Sequence, residues 1–169
     1  MSSNTENSTP IFKGLSWCHE QYYSFFVPID WKRTERMDSK EGTIYLPTPD
    51  DAHTYFAVQV DDLGMEVTEA DIPDLVAGLS EGIHNLAEYQ IESQTSSTTG
   101  SLNEMEAKYT FVEDGKRRKR WVRVLYHNTR QITFIAQGQT EQIYHYWLPM
   151  FNEAMMTLKV HSIRPTVPG

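Results

Sequence analysis

From Glu104 to Glu113 the chain alternates strictly: Met105, Ala107, Tyr109 and Phe111 fall on one side, and Glu104, Glu106, Lys108 and Thr110 on the other. A period of two belongs to a β-strand with one buried face. Asp114-Gly115 follows, the pair favoured where a two-residue hairpin needs left-handed backbone. The chain returns through Lys116 to Tyr126. A second tight turn at His127-Asn128-Thr129 then leads into Arg130 to Gln137. Strands joined by turns this short pair antiparallel, so this third of the sequence predicts a three-stranded meander.

The remaining elements are read around it. Tyr22 to Val27 is an aromatic strand ending at Pro28, with Trp31 three residues on. Thr43 to Leu46 and Tyr55 to Val60 are two further strands; in the second, Phe56, Val58 and Val60 share a face. A helix is expected from Asp71 to Leu86, with Asp71 as N-cap, Pro73 in the first turn and the stripe Ile72, Leu75, Val76, Leu79, Ile83, Leu86. Gly78 and Gly82 border that stripe, and close backbone approach is expected there. Tyr89 to Thr95 reads as a strand, and Gln94 to Asn103 as a polar, mobile Ser/Thr/Gly loop. The last helix spans Thr140 to Lys159 with the stripe Ile143, Tyr146, Trp147, Met150, Phe151, Ala154, Met155, Leu158, continuing across Pro149 in a kink. Two amphipathic helices and six to seven strands predict an α+β domain with helices packed on a mostly antiparallel sheet. Residues 1–19 and 161–169 are expected to be tails around one domain at 20–160.

Composition narrows the function classes. The formal charge of −8 repels phosphate backbones and anionic lipid at long range, which argues against nucleic acid and against insertion into a membrane. One cysteine, Cys18, permits no intrachain disulfide. Met1 to Pro10 has neither the basic nor the apolar region of a signal peptide, and Asn7-Ser8-Thr9 would be a glycosylation sequon only in a secreted chain. The expectation is a cytoplasmic protein, although a signal removed ahead of this sequence would escape it.

The order of elements resembles the PsbP-like superfamily. The features that carry the likeness are Phe25 to Pro28 followed by Trp31, the helix after the third strand, the Glu113-Asp114-Gly115 hairpin with its long return strand, and the closing Phe151-Asn152-Glu153-Ala154-Met155-Met156-Thr157-Leu158. They span roughly Tyr22 to Val160. The superfamily includes the extrinsic PsbP protein of photosystem II, a Ran-binding nucleotide-release factor, Eag-type chaperones of type VI secretion and many bacterial proteins. The resemblance implies an α/β/α sandwich around a central antiparallel sheet, usually without enzymatic activity and docking onto other proteins. The sequence has no thylakoid targeting segment, and no motif singles out Ran binding or effector chaperoning.

Candidate sites are few. Lys116-Arg117-Arg118-Lys119-Arg120, followed by Trp121, is the one concentrated basic run. It reads either as a solvated strand end or as a docking patch for an acidic protein surface. Met156 lies off the stripe of the last helix and would add an adaptable apolar contact. Gly78-Leu79-Ser80-Glu81-Gly82 matches a nucleophile elbow, with His84 four residues beyond Ser80. A true elbow sits on a strand-to-helix turn, and this copy falls inside a helix. Asp50, Asp51 and His53, and separately Asp61-Asp62, are the nearest to a cation cluster; a zinc site needs three or four converging ligands, and these read as solvated loop residues, with a divalent ion as the alternative. No cofactor and no metal is expected. Three functions stay open: an accessory domain docking to a protein partner, with effector chaperoning as a variant; a small-molecule or lipid carrier with a pocket between sheet and helices; and a serine hydrolase at Ser80. The oligomeric state is not readable.

Overall fold

A computed structural model describes residues 10–35 and 41–161. The predicted terminal tail over residues 1–9, its sequon at Asn7, and the tail from Arg164 to Gly169 lie outside the described residues. The elements in chain order are β1 (Leu15–His19), β2 (Tyr23–Pro28), β3 (Lys32–Glu35), β4 (Glu41–Leu46), β5 (Tyr55–Asp62), α1 (Ile72–His84), β6 (Gln90–Thr99), β7 (Leu102–Glu113), β8 (Lys116–His127), β9 (Arg130–Gly138), α2 (Glu141–Met156) and β10 (Lys159–Val160). Seven strands form one antiparallel sheet in the order β3-β4-β5-β9-β8-β7-β6, and β1-β2-β10 form a smaller one.

The meander sets the geometry. Asp114 and Gly115 both have positive φ (52° and 73°), which gives the hairpin the right-handed twist of its strands, and β7 and β8 pair from Glu113–Lys116 to Asn103–Tyr126. Side chains of β8 then alternate between two cores. Trp121 and Leu125 join Phe56, Val58, Ile132 and Phe134 of β5 and β9, with Tyr144, Phe151 and Met155 of α2 and Phe25 of β2. Val122, Val124 and Tyr126 join Met105, Ala107, Tyr109 and Phe111 of β7 with Ile83 of α1. The large sheet therefore carries α1 on one face and α2 with the small sheet on the other. Trp31 closes the second layer edge-on to Trp147 and Phe151.

Several expectations are corrected. Leu15–His19 is a strand paired with β2, and the His161 N–H donates to the Tyr22 carbonyl at 2.8 Å, so the fold extends past both expected tail boundaries. Gln94 to Asn103 is not a loop: β6 runs to Thr99 and turns at Gly100 (φ 60°) straight into β7. Its serines and threonines need no apolar face, because β6 is a sheet edge and β-branched threonine suits a strand. Asp71 stands at the N-cap of α1 as expected, but its side chain makes no capping bond to the helix. Its carboxylate instead accepts from the Thr68 N–H (2.9 Å), closing a single 3₁₀ turn ahead of the helix. In α2, Tyr144 is buried on the core side, a position the expected stripe lacked. Thr140 caps this helix by accepting from the Ile143 N–H at 3.2 Å, and the helix passes through Pro149 without ending.

Gly78 and Gly82 do not mark close approach. A Cβ added at either would meet nothing within 4 Å, since both face away from the sheet. Their only effect is the backbone freedom glycine costs a helix. Gly82→Ala is expected to raise unfolding free energy by about 0.5–1 kcal/mol, read as a higher urea midpoint at unchanged slope.

Candidate functional site

The basic run sits at the start of β8, and the two faces of the strand spend its charges in different places. Lys116 is exposed and donates to the Gln139 side chain at 3.3 Å. The Arg117 guanidinium donates to the Glu88 carbonyl (2.9 Å) and to Thr110 Oγ1 (3.0 Å). Arg118 is 1% exposed, with its Nε 2.9 Å from the Glu113 carboxylate and Asp114 3.7 Å away. Lys119 is 7% exposed, pairs with Glu92 at 2.9 Å and lies over the Tyr144 ring. Arg120 holds the Gln137 side-chain oxygen with Nε and Nη2, donates to the Tyr109 hydroxyl and stacks on Phe111. Burial works against the Arg120 charge, but Tyr55, Tyr109 and the Glu113 carboxylate together outweigh it and hold the guanidinium above its ordinary value. Trp121 is 1% exposed in the core.

Buried Arg118, Lys119 and Trp121 thus correct the docking-patch expectation. A buried charge must be paired: Arg118 answers Glu113 and Asp114 of its own hairpin, and Lys119 answers Glu92, which β6 brings to it. Around them lies a polar network that ties the β4–β5 loop to β9. Thr54 Oγ1 donates to Asp51 (2.6 Å) and accepts from the Gln139 N–H (3.0 Å), while Gln137 donates to the His53 carbonyl (2.8 Å). Asp51 is occupied in closing its own loop, through the His53 N–H and the Gln139 side chain. Among the described residues no group of three or more His, Cys, Asp or Glu is placed to hold a metal ion.

Ser80 lies within α1, and its hydroxyl accepts from the Gln94 side-chain nitrogen at 2.7 Å, while His84 stacks on Tyr89. That is a helix-to-edge tether with no elbow. Met156 is 68% exposed at the end of α2. The layers between sheet and helices are filled by the two cores. Among the described residues, cavities open at the surface instead. One, of about 300 Å³, lies beside Tyr22, His127, Arg130 and His161; another, of about 360 Å³, lies between Phe12, Leu15 and Pro149.

What the sequence marked only as far as Thr95, and never as an edge, is β6, one of the two outer strands of the large sheet. β6 is ten residues long, and every residue but Gln94 is exposed. It ends the strand order, so among the described residues no strand pairs with its outer side. Its two faces differ. Gln94 and Thr98 point toward α1, where Gln94 binds Ser80 and Thr98 donates to Asn103 at 2.7 Å. Thr95 and Ser97 point to the opposite face, in register with Glu106 and Glu104 of β7. Those four residues and Ser96 line a cleft of about 160 Å³. Arg123 serves both carboxylates, at 2.6 Å to Glu104 and 3.7 Å to Glu106, while Lys108 is drawn inward over the Trp121 ring. A register shift between Ile91 and Ser93 turns Glu92 away from the edge and onto Lys119, leaving Ser93 to Thr99 free of charged side chains. The run of β-branched threonines in Gln94 to Thr99 was the signal that could have marked it as a strand.

This architecture recurs in solved structures of low sequence identity. Cyanobacterial PsbP (CyanoP) from Synechocystis superposes with a TM-score of 0.62 at 12% identity, over 87% of this chain and 92% of that one. LpqN of Mycobacterium tuberculosis, described as involved in cell envelope biogenesis, gives 0.60 at 12%, over 88% and 91%. The Saccharomyces cerevisiae Ran-binding protein Mog1p gives 0.52 at 9%, over 87% and 95%. No family model matches the sequence, and no curated protein matches it significantly. The expected PsbP-like fold is the fold of this chain.

Proposed function

We propose that this PsbP-like domain is a non-enzymatic accessory module that docks a protein partner by adding a strand of that partner to the outer side of β6. The observation that carries the reading is the free edge itself: ten residues, exposed on both faces, with no lysine or proline to deter pairing. Edge strands are normally blunted by such residues, by bulges or by covering elements; β6 has its one irregularity near its start, between Ile91 and Ser93, and from Ser93 to Thr99 it offers a row of backbone donors and acceptors to an extended segment. Two further facts support it. Ser80, the one nucleophile the sequence suggested, is tied to Gln94. A structure of the same fold is that of a Ran-binding protein. Among the described residues no helix is long and apolar enough to cross a membrane; a cytoplasmic bacterial setting is part of this proposal, and the single cysteine, Cys18, supports its reducing character.

The test is capture from native lysate with three baits: wild type, Ser96→Pro and Ser97→Pro. Neighbouring residues on a strand aim their N–H groups in opposite directions, so one of the two prolines removes an outward donor without breaking the β6–β7 ladder. That variant should melt like wild type and lose the partner. A partner retained by a normally folded variant of this kind would move docking away from β6. Charge reversal across Lys116 to Arg120 is not a useful alternative, because it would disrupt buried ion pairs rather than a surface.

A further inference from the structure

We infer that the strand accepted by β6 is basic: an extended segment of the partner carrying Lys or Arg at alternate positions, read by Glu104 and Glu106. This rests on the docking role of β6 and adds the chemistry of what docks.

The geometry comes from the register. A strand added outside β6 lies two inter-strand spacings from β7, or roughly 9.5 Å. Side chains of the added strand that face the cleft sit opposite Thr95 and Ser97, which in turn sit opposite Glu106 and Glu104. Serine and threonine are short, so they leave the intervening space open, and the cleft between them is the space observed. Lysine or arginine extends far enough to cross one such position and meet a glutamate reaching the other way. An aspartate or glutamate there would face two carboxylates.

The charges available in the cleft have one sign. Its lining residues are Thr95, Ser96, Ser97, Glu104 and Glu106, with no cation among them. The nearest cation, Arg123, lies beneath and is divided between two carboxylates; Glu106 holds the longer contact of the two. Lys119 is spent on Glu92, and Lys108 on Trp121. A second cation can therefore be accepted at Glu106 without displacing an ion pair. The chain's charge of −8 favours encounter with a cationic segment and disfavours a second copy of itself.

The probes are two capped peptides, Thr-Val-Lys-Val-Lys-Val-Thr and Thr-Val-Glu-Val-Glu-Val-Thr, titrated into the full chain labelled with nitrogen-15. The readout is the backbone amide resonances, with wild type compared with Glu106→Gln. That substitution keeps the Arg123–Glu104 pair and removes one carboxylate. The expected result is movement of the Gln94 to Thr99 amides by the lysine peptide, binding at least about fivefold tighter than the glutamate peptide at low salt, and a narrower gap in the variant. Equal binding of both peptides at β6 would overturn the basic preference while leaving the docking edge intact. No movement of β6 amides with either peptide would overturn both. So would β6 amides already protected from exchange in the free protein in a concentration-dependent way, because a second copy would then occupy the edge.

Discussion

Phe25→Ala is expected to lower the unfolding free energy by about 4 kcal/mol, the middle of the range for removing a buried aromatic side chain. Phe25 is fully buried, and its ring meets four others: Tyr23 at 5.9 Å between centroids, Tyr45 at 5.7 Å, Phe56 at 5.3 Å and Phe134 at 6.1 Å. Tyr23 belongs to β2, Tyr45 to β4, Phe56 to β5 and Phe134 to β9. The ring is thus the pin between the small sheet and the large one. Collapse onto the hole would need both sheets to approach, which their own ladders resist, so the cavity term stays near its full value. Urea denaturation measures the loss, and a control is available on the same strand. Phe26 turns to the outer face, where it packs on the exposed Trp17, and Trp17→Ala should cost no more than about 1 kcal/mol. If Phe25→Ala and Trp17→Ala cost the same, the small sheet is not held to the large one through Phe25.

How much of this was legible follows from where the information lies. The meander was readable because β7 has an apolar face every second residue and Asp114-Gly115 admits one kind of turn. α1 was readable from its stripe and its N-cap Asp71, though not the 3₁₀ turn before it, because Thr68 and Asp71 act across a turn that carries no apolar period. β1, β3 and β10 were missed for a related reason. Ser16, Trp17, Cys18 and His19, or Lys32 to Glu35, have no alternation strong enough to declare a strand, and become strands only because β2 and β4 offer them edges. The basic run shows the limit most plainly. Glu113 and Asp114, which answer Arg118, are local, but Glu92, Gln137 and Tyr144, which pair with or cover Lys119 and Arg120, come from β6, β9 and α2. No window around residues 116–121 contains them. The edge of β6 is legible only by elimination, since what defines it is a neighbour that the strand order does not supply.

Gly138→Ala is expected to cost about 3 kcal/mol, the range of overpacking a core that cannot give, although the added group is a single methyl. Gly138 is the last residue of β9, paired with Lys119. A Cβ built there would lie 2.5 Å from Tyr144 Cβ, 2.5 Å from the Tyr144 backbone nitrogen and 2.6 Å from its Cα. Two of those atoms are main chain, so no rotamer change relieves the clash; α2 or the end of β9 must move. Both are fixed. The Tyr144 N–H donates to the Thr140 carbonyl at 2.9 Å, Thr140 caps the helix, and the Gln139 N–H between them is held by Thr54 Oγ1. The Gly138 backbone does not adopt a left-handed conformation, so the penalty is steric, unlike that expected at Gly115. This yields a sharp check by double-mutant cycle. Truncating the ring with Tyr144→Ala leaves the nitrogen, Cα and Cβ in place, so it should not rescue Gly138→Ala. Rescue by more than about 1 kcal/mol would mean that the ring, and not the start of the helix, sets the requirement for glycine. A loss below about 0.5 kcal/mol in the single variant would mean that α2 is free to shift off β9. The same methyl at Gly82 should stabilise, and the opposite signs follow from what each Cβ meets: solvent in one case, the backbone of a capped helix in the other.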